Sequence, residues 1–183
     1  TARYGESLKT VLDQLTQIRN EIESGLSIEL LQTRLRAGAA RNALDCALWD
    51  LDAKLANCRV TELLSVAEPQ QVPTLQTISI GTPENMAEEA RRLKHYPMLK
   101  IKLDREHIIE RLLAVHEHAP DSKLLIDANE SWDRDLLEKT LSHLDGLPIS
   151  MIEQPLSQGQ DQNLSGLFSP VPIGADESCH TVK

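Results

Sequence analysis

The sequence lacks clusters of positive charge. Its 183 residues include 19 lysines and arginines against 28 aspartates and glutamates, which gives a formal net charge of −9. A surface of that sign repels phosphate groups, and no lysine- or arginine-rich segment offsets it, so the sequence argues against binding to nucleic acid or to an anionic membrane. The hydrophobic content of 40% is sufficient for a packed core, so we expect a globular protein rather than a disordered one.

Long apolar runs and paired cysteines are missing as well. No run approaches the roughly 20 residues of a membrane span, and residues 1–7 do not resemble a signal peptide. We therefore expect a cytoplasmic protein. Cys46, Cys58 and Cys179 are odd in number and have no Cys-x-x-Cys spacing, which disfavours a disulfide framework or a thiolate zinc site.

The first part of the sequence has a helical pattern. Apolar residues recur at helical spacing over Leu8–Ile22, and the alanine-rich segment Gly38–Leu51 has an apolar face that continues to Leu55. The segment Glu68–Pro73 interrupts this periodicity and is the best internal boundary. We therefore divide the sequence into a helical part, residues 1–68, and a second part, residues 69–183.

Short apolar runs alternate with helical segments in the second part. Five runs are predicted as strands: Thr74–Ile80, Leu99–Leu103, Leu124–Asp127, Met151–Glu153 and Ile173–Asp176. Helices are predicted between them, and the last is a weak one near Leu164–Phe168. Repeated strand and helix units of this length form parallel sheets.

The arrangement of the strands favours a barrel over an open sheet. Candidate site residues are spread over neighbouring strands, and the sequence has no glycine-rich phosphate loop of the kind that marks an open dinucleotide-binding sheet. Because a complete (β/α)8 barrel needs about 250 residues, we expect an α/β fold with about five of the eight strands. Such a fragment would have unpaired first and last strands, which favour association into a homo-oligomer.

Three of the predicted strands lead into an acidic residue. Asp127, Glu153 and Asp176 recur about every 25 residues, so successive parallel strands would present them at the same end of the sheet. Three carboxylates on rigid strand ends suit Mg²⁺, with Mn²⁺ as an alternative, whereas zinc prefers nitrogen or sulfur ligands. His180, shortly after the last acid, is a candidate for an indirect role at this site.

Two lysines share one face of the strand before Asp127. In the run Leu99-Lys100-Ile101-Lys102-Leu103 they alternate with apolar residues, and side chains in a strand alternate between its two faces. A cation bound to a substrate carboxylate stabilises the enediolate that forms when the adjacent carbon loses its proton. Near that cation and the Lys100 ammonium, Lys102 is expected to have a lowered pKa and to act as the general base. Together these residues predict a metal-assisted proton-transfer site.

The strand-end motifs resemble those of the enolase superfamily, in its muconate-lactonising-like branch. The matching motifs are Lys100-Ile101-Lys102, Asp127-Ala128-Asn129, Glu153-Gln154-Pro155 and Ala175-Asp176-Glu177-Ser178. Within the superfamily the sequence looks most like the L-Ala-D/L-Glu epimerases, dipeptide epimerases linked to murein peptide recycling. The resemblance implies that residues 1–68 are the helical part of an α+β capping domain, and that residues 69–183 are the N-terminal half of a (β/α) barrel.

The resemblance also implies a role for each candidate residue. The three strand-end acids would hold Mg²⁺, and Lys102 would be the base on one face of the substrate α-carbon. Lys100 would orient the substrate carboxylate and tune Lys102, and Thr77 would contact a small dipeptide substrate. The opposing lysine of this family lies on a later strand, so we expect residues 1–183 to bind Mg²⁺ weakly and to show negligible epimerisation.

Two other functions remain open at this point. Another enolase-superfamily reaction, such as o-succinylbenzoate synthesis or cycloisomerisation, uses the same metal and lysines on a different acid. The second alternative is a non-catalytic, truncated module that keeps the half-barrel for binding or oligomerisation.

Overall fold

All the strands of the described chain lie in its second part, where they alternate with helices. The computed structural model describes residues 5–179, which form two units that meet between Gln71 and Val72. Over residues 5–71, the regular elements of the first unit are all helices: α1 (Leu8–Gln17), α2 (Arg19–Glu23), α3 (Ile28–Arg34), α4 (Ala39–Leu55) and α5 (Val60–Leu63). No helix within residues 5–179 has both the length and the apolar character to cross a membrane.

The first unit differs from the predicted helices at one place. The apolar spacing predicts one helix over Leu8–Ile22, but Ile18 has φ −103° and ψ 11°, which ends α1 and begins α2. The alanine-rich helix α4 starts directly after Gly38 and ends at Leu55, as expected. The buried apolar residues that form the core cluster of this unit are Ile18, Leu26, Leu31, Leu35 and Ala40.

The second unit is a parallel sheet with helical connections. Its elements are β1 (Gln76–Ile78), α6 (Pro83–Leu93), β2 (Met98–Lys102), α7 (Ile108–His118), β3 (Lys123–Asp127), α8 (Arg134–Leu141), β4 (Ile149–Glu153), a 3-10 helix (Asp161–Leu164) and β5 (Ile173–Gly174). The five strands follow the order β1-β2-β3-β4-β5, and every neighbouring pair is parallel. The predicted α/β fold with five parallel strands is therefore confirmed.

The outer strands are shorter than predicted. β1 pairs with β2 only over Gln76–Ile78. β5 has two residues and begins directly after Pro172, which has no N–H to donate to a neighbouring strand. The predicted helix near Leu164–Phe168 is wrong, because Gly166 has a φ of +70° and the short 3-10 helix precedes it.

The register of the strands places the candidate residues side by side. Lys102 pairs with Asp127, Asp127 pairs with Glu153, and Thr77 pairs with Lys100. On β2 the apolar residues Leu99 and Ile101 are buried in the core. Because side chains alternate along a strand, the two lysines are directed to the opposite face.

Candidate functional site

Lysine and carboxylate side chains alternate across the ends of β2, β3 and β4. The Lys100 ammonium nitrogen lies 3.0 Å from Asp127 Oδ2 and 2.8 Å from Glu153 Oε2. The Lys102 nitrogen lies 3.0 Å from the same Asp127 oxygen. The four side chains thus form one charged network, with Asp127 between the two lysines and Lys100 between the two acids.

Asp127 is the most deeply buried member of this network, with a side chain only 1% exposed. Burial by itself raises a carboxyl pKa. Here the hydrogen bonds from Lys102, from Lys100 and from the Asn129 backbone N–H outweigh burial and hold the pKa of Asp127 below its ordinary value. Asp127 is therefore held as a carboxylate, the form that can bind a cation.

The two lysines differ in how they meet the solvent. The Lys100 side chain is 21% exposed and that of Lys102 is 34% exposed. Burial alone favours the neutral amine of Lys100, but the hydrogen bonds to Glu153 and Asp127 outweigh it and raise the Lys100 pKa above its ordinary value. Lys100 is therefore stabilised as a cation, whereas Lys102 is the lysine that a ligand in solvent reaches more easily.

Asn129 contacts the charged network, which the sequence did not lead us to predict. Its side-chain oxygen accepts a hydrogen bond of 2.7 Å from Lys102 Nζ, and its amide nitrogen is 3.3 Å from Glu177 Oε1. Glu177 is buried, whereas the neighbouring Asp176 is exposed. Asn129 belongs to the Asp-Ala-Asn motif and Glu177 to the Ala-Asp-Glu-Ser motif, so the signal was present in residues next to the predicted ligands.

The loop after β2 is tied to the loop after β3. The buried Trp132 donates its indole N–H to the Asp104 backbone oxygen at 2.8 Å. The carboxylate of Asp104 accepts hydrogen bonds from the Glu106 backbone N–H and from the buried Arg111 guanidinium. These contacts outweigh the effect of burial and lower the pKa of Asp104. The backbone that follows Lys102 is thereby held rigidly against the next strand end.

The structure brings together only some of the predicted site residues. Lys100, Lys102, Asp127 and Glu153 are in contact, while Asp176 is exposed on the loop after β5. Among residues 5–179, no three carboxylate, imidazole or thiol side chains are grouped as ligands for a metal ion. Thr77 is exposed on β1, and His180 lies outside the described residues.

Two known protein families match this chain. Residues 85–183 match the enolase C-terminal domain-like family, and residues 1–65 match the mandelate racemase / muconate lactonizing enzyme N-terminal domain family. The first of these matches covers more than half of the chain. The chain belongs to the enolase superfamily. Its membership confirms the family predicted from the strand-end motifs.

Two curated relatives of this enolase-superfamily chain are epimerases or racemases of glutamate derivatives. It is 45% identical to the L-Ala-D/L-Glu epimerase of Escherichia coli (strain K12), over 98% of this chain and 56% of the relative. It is 42% identical to an N-acetyl-D-glutamate racemase from Pseudoalteromonas sp, over 98% of this chain and 58% of the relative. The chain thus spans about half the length of the curated relatives it matches.

A solved structure shows the same fold in this branch of the superfamily. The crystal structure of a dipeptide epimerase from Enterococcus faecalis V583, complexed with Mg and the dipeptide L-Leu-L-Tyr, matches with a TM-score of 0.83 and 29% sequence identity. The match covers 96% of this chain and 53% of that structure. The five parallel strands with helical connections therefore have the fold of the corresponding part of that structure.

Proposed function

We propose that this chain carries the metal-binding half of the active site of a dipeptide epimerase, with Lys102 as one of its bases. The observation that carries the proposal is the contact of Lys100 and Lys102 with Asp127 and Glu153 at the ends of three neighbouring strands. The similarity to epimerases over almost the whole chain supports it.

The donor set fits a divalent cation in its chemistry. Asp127 and Glu153 converge on a single positive charge, the Lys100 ammonium, which lies within 3.0 Å of both carboxylates. Oxygen ligands of this kind suit Mg²⁺, and Mn²⁺ is an alternative. We assign Asp127, Glu153 and Asp176 as the residues that would hold it, and the ion would neutralise charge that develops on the substrate carboxylate.

Within this site, Lys102 Nζ would remove the proton from the carbon next to the substrate carboxylate. Lys102 is the more exposed of the two lysines, and its contacts with Asp127 and Asn129 fix the direction of its nitrogen. Lys100 lies deeper, and its positive charge would orient the substrate carboxylate. Thr77, which pairs with Lys100 on the neighbouring strand, would contact the substrate.

The substrate class that the relatives support is an N-acylated glutamate. L-Ala-L-Glu and N-acetylglutamate both carry an acyl group on the glutamate nitrogen, and the relatives named for them are 45% and 42% identical to this chain. We favour the dipeptide because the solved relative also binds one. A part in murein peptide recycling, with a cytoplasmic location, belongs to the same proposal.

Proton exchange at the glutamate α-carbon tests this function. The 183-residue chain is incubated with L-Ala-L-Glu and Mg²⁺ in D₂O, and the α-proton signal is followed by ¹H NMR. We expect Mg²⁺-dependent loss of that signal with negligible formation of the D-Glu epimer, because Lys102 serves one face of the carbon. N-acetyl-L-glutamate, tested in parallel, should exchange more slowly.

Matched lysine substitutions identify the base. Lys102→Met should slow exchange by about 10²–10⁴-fold, the usual contribution of a general base. Lys123→Met is the control, because Lys123 is exposed at the other end of β3. Equal exchange by Lys102→Met and the unsubstituted chain would reject Lys102 as the base. No exchange of either L-Ala-L-Glu or L-Ala-D-Glu by a folded, metal-loaded chain would reject an assembled site and favour the non-catalytic alternative.

A further inference from the structure

Asp176 lies beyond the end of β5, so strand pairing does not fix its position. Asp127 and Glu153 are the last residues of β3 and β4, so the sheet register fixes their direction. β5 ends at Gly174, and Asp176 lies beyond it on an exposed loop. Some contact outside the sheet must therefore hold the backbone of Asp176.

The side-chain oxygen of Gln154 makes that contact. Gln154 Oε1 accepts a hydrogen bond of 2.9 Å from the Asp176 backbone N–H and one of 3.1 Å from the Ser178 backbone N–H. An amide oxygen has two acceptor positions, so both are used. The single oxygen thus holds the backbone on both sides of Glu177.

The amide nitrogen of Gln154 is equally occupied. It donates to the Leu156 backbone oxygen and to Ser178 Oγ, both at 2.9 Å. Two donors and two acceptors are therefore satisfied, and exchanging the oxygen and nitrogen would bring donors against donors. The network fixes the orientation of the side chain as well as its position.

The backbone of Gln154 joins three strand ends. Its N–H donates to the Gly174 oxygen and its oxygen accepts from the Glu130 N–H, each at 2.8 Å. The residue is 2% exposed and has a φ of +36°, in the left-handed region that non-glycine residues rarely adopt. Such strain persists only where surrounding contacts enforce it, and it is common at functional sites.

We infer that Gln154 is the positioning residue for the third carboxylate of the metal site, because its amide holds the backbone of Asp176 beside the ends of β3 and β4. The inference rests on the proposed function. It adds to that function a residue that contacts neither metal nor substrate. Residues that orient metal ligands through hydrogen bonds commonly affect metal affinity by 10- to 100-fold.

The test uses the 183-residue chain and two measurements. Exchange of the Asp176 and Ser178 amide hydrogens is followed by ¹H–¹⁵N NMR in EDTA, and the affinity for Mn²⁺ alone is measured by EPR of the free ion. In Gln154→Met both amides should exchange at least about tenfold faster, since each loses its acceptor. The Mn²⁺ affinity should fall by about 10- to 100-fold.

Three further variants separate positioning from a general loss of structure. Gln154→Glu keeps an acceptor for the two amides but places a second acceptor against the Leu156 oxygen, so its amide protection should lie between that of Gln154→Met and that of the unsubstituted chain. Gln154→Asn, which stays polar but falls short of the two amides, should behave like Gln154→Met and replaces it if that variant does not fold. Gln162→Met is the matched control, because Gln162 is exposed on the 3-10 helix.

The outcomes distinguish this inference from the proposed function. Unchanged amide exchange, or unchanged Mn²⁺ affinity, in folded Gln154→Met and Gln154→Asn would overturn the positioning role alone. Failure of the unsubstituted chain to bind Mn²⁺ would reject the proposed metal site, and the positioning role with it.

Discussion

The ends of β3 and β4 hold their acids differently from the end of β5. Asp127 and Glu153 are terminal strand residues, paired in register and held by two lysines. Asp176 lies on a loop beyond a two-residue strand, and its backbone is held by a glutamine from β4. The regular strand backbone directs Asp127 and Glu153, whereas the side chain of Gln154 holds the backbone of Asp176.

The three acids should therefore contribute differently to the stability of the folded chain. Asp127 is buried and charged, so the folded state depends on the contacts that satisfy it. Asp176 is exposed, so the folded state gains little from its carboxylate. We therefore expect substitutions at the two acids to have similar consequences for metal binding and very different consequences for the free energy of unfolding.

The largest stability effect is expected for Asp127→Asn. The substitution keeps the shape of the side chain but removes a buried charge that pairs with Lys100 and Lys102. The free energy of unfolding should fall by about 2–3 kcal/mol, as for other buried charged hydrogen bonds. Urea unfolding measures it. Glu153→Gln is the comparison and should cost less, since Glu153 is 15% exposed; an equal or greater loss there would contradict the ranking.

The effect of Asp127→Asn should depend on pH. Burial raises the pKa of Asp127, but hydrogen bonds from the two lysines and the Asn129 backbone outweigh it and lower the pKa. The carboxylate therefore stabilises the folded chain fully at pH values above the ordinary pKa of about 3.9. That contribution is lost as the pH falls through the lower folded-state pKa. The difference in unfolding free energy between the chain and Asp127→Asn, measured in EDTA, should therefore be constant near neutral pH and shrink in acid.

The contribution of Lys100 to stability should be lost at alkaline pH, whereas that of Asp127 is lost in acid. Hydrogen bonds to Glu153 and Asp127 outweigh burial and raise its pKa, so its contribution is fully present below the ordinary value of about 10.4 and is lost as the pH rises through the higher folded-state pKa. The difference between the chain and Lys100→Met should thus persist at mildly alkaline pH. A difference that disappears near neutral pH would contradict the raised pKa.

The part of the candidate site that could be predicted from the sequence is the part formed by regular strands. Alternation placed Lys100 and Lys102 on one face, and the repeat length of strand and helix placed Asp127 and Glu153 at one end of the sheet. These contacts follow from backbone geometry, which a sequence pattern encodes. The predicted roles in metal binding and catalysis stay predictions that the experiments above test.

The remaining part depends on contacts between loops. β5 ends at Gly174, which leaves Asp176 outside the sheet, and the apolar run before that acid gave no indication of it. The motif Glu153-Gln154-Pro155 gave no indication that the glutamine side chain reaches the next strand end. Hydrogen bonds of this kind require three-dimensional proximity of residues more than 20 positions apart, for which one sequence has no periodic signal.

A smaller loss of stability is expected for Trp132→Phe, next to the ends of β2 and β3. Trp132→Phe removes the indole donor to the Asp104 backbone oxygen and leaves a small cavity in the core, so unfolding free energy should fall by about 1–2 kcal/mol. Trp49→Phe is the matched control, because Trp49 is only partly buried on α4. Equal losses in urea unfolding would show that the indole hydrogen bond contributes nothing measurable.

The smallest stability effect should accompany Asp176→Asn. The side chain is exposed, so the free energy of unfolding should change by no more than about 0.5 kcal/mol. The Mn²⁺ affinity measured by EPR should nevertheless fall by at least about tenfold, because a proposed ligand loses its charge. Asp145→Asn, at an exposed position before β4, should change neither quantity. A stability loss at Asp176 as large as that at Asp127 would show that the loop after β5 is held by the carboxylate itself, and the distinction between the two strand ends would be wrong.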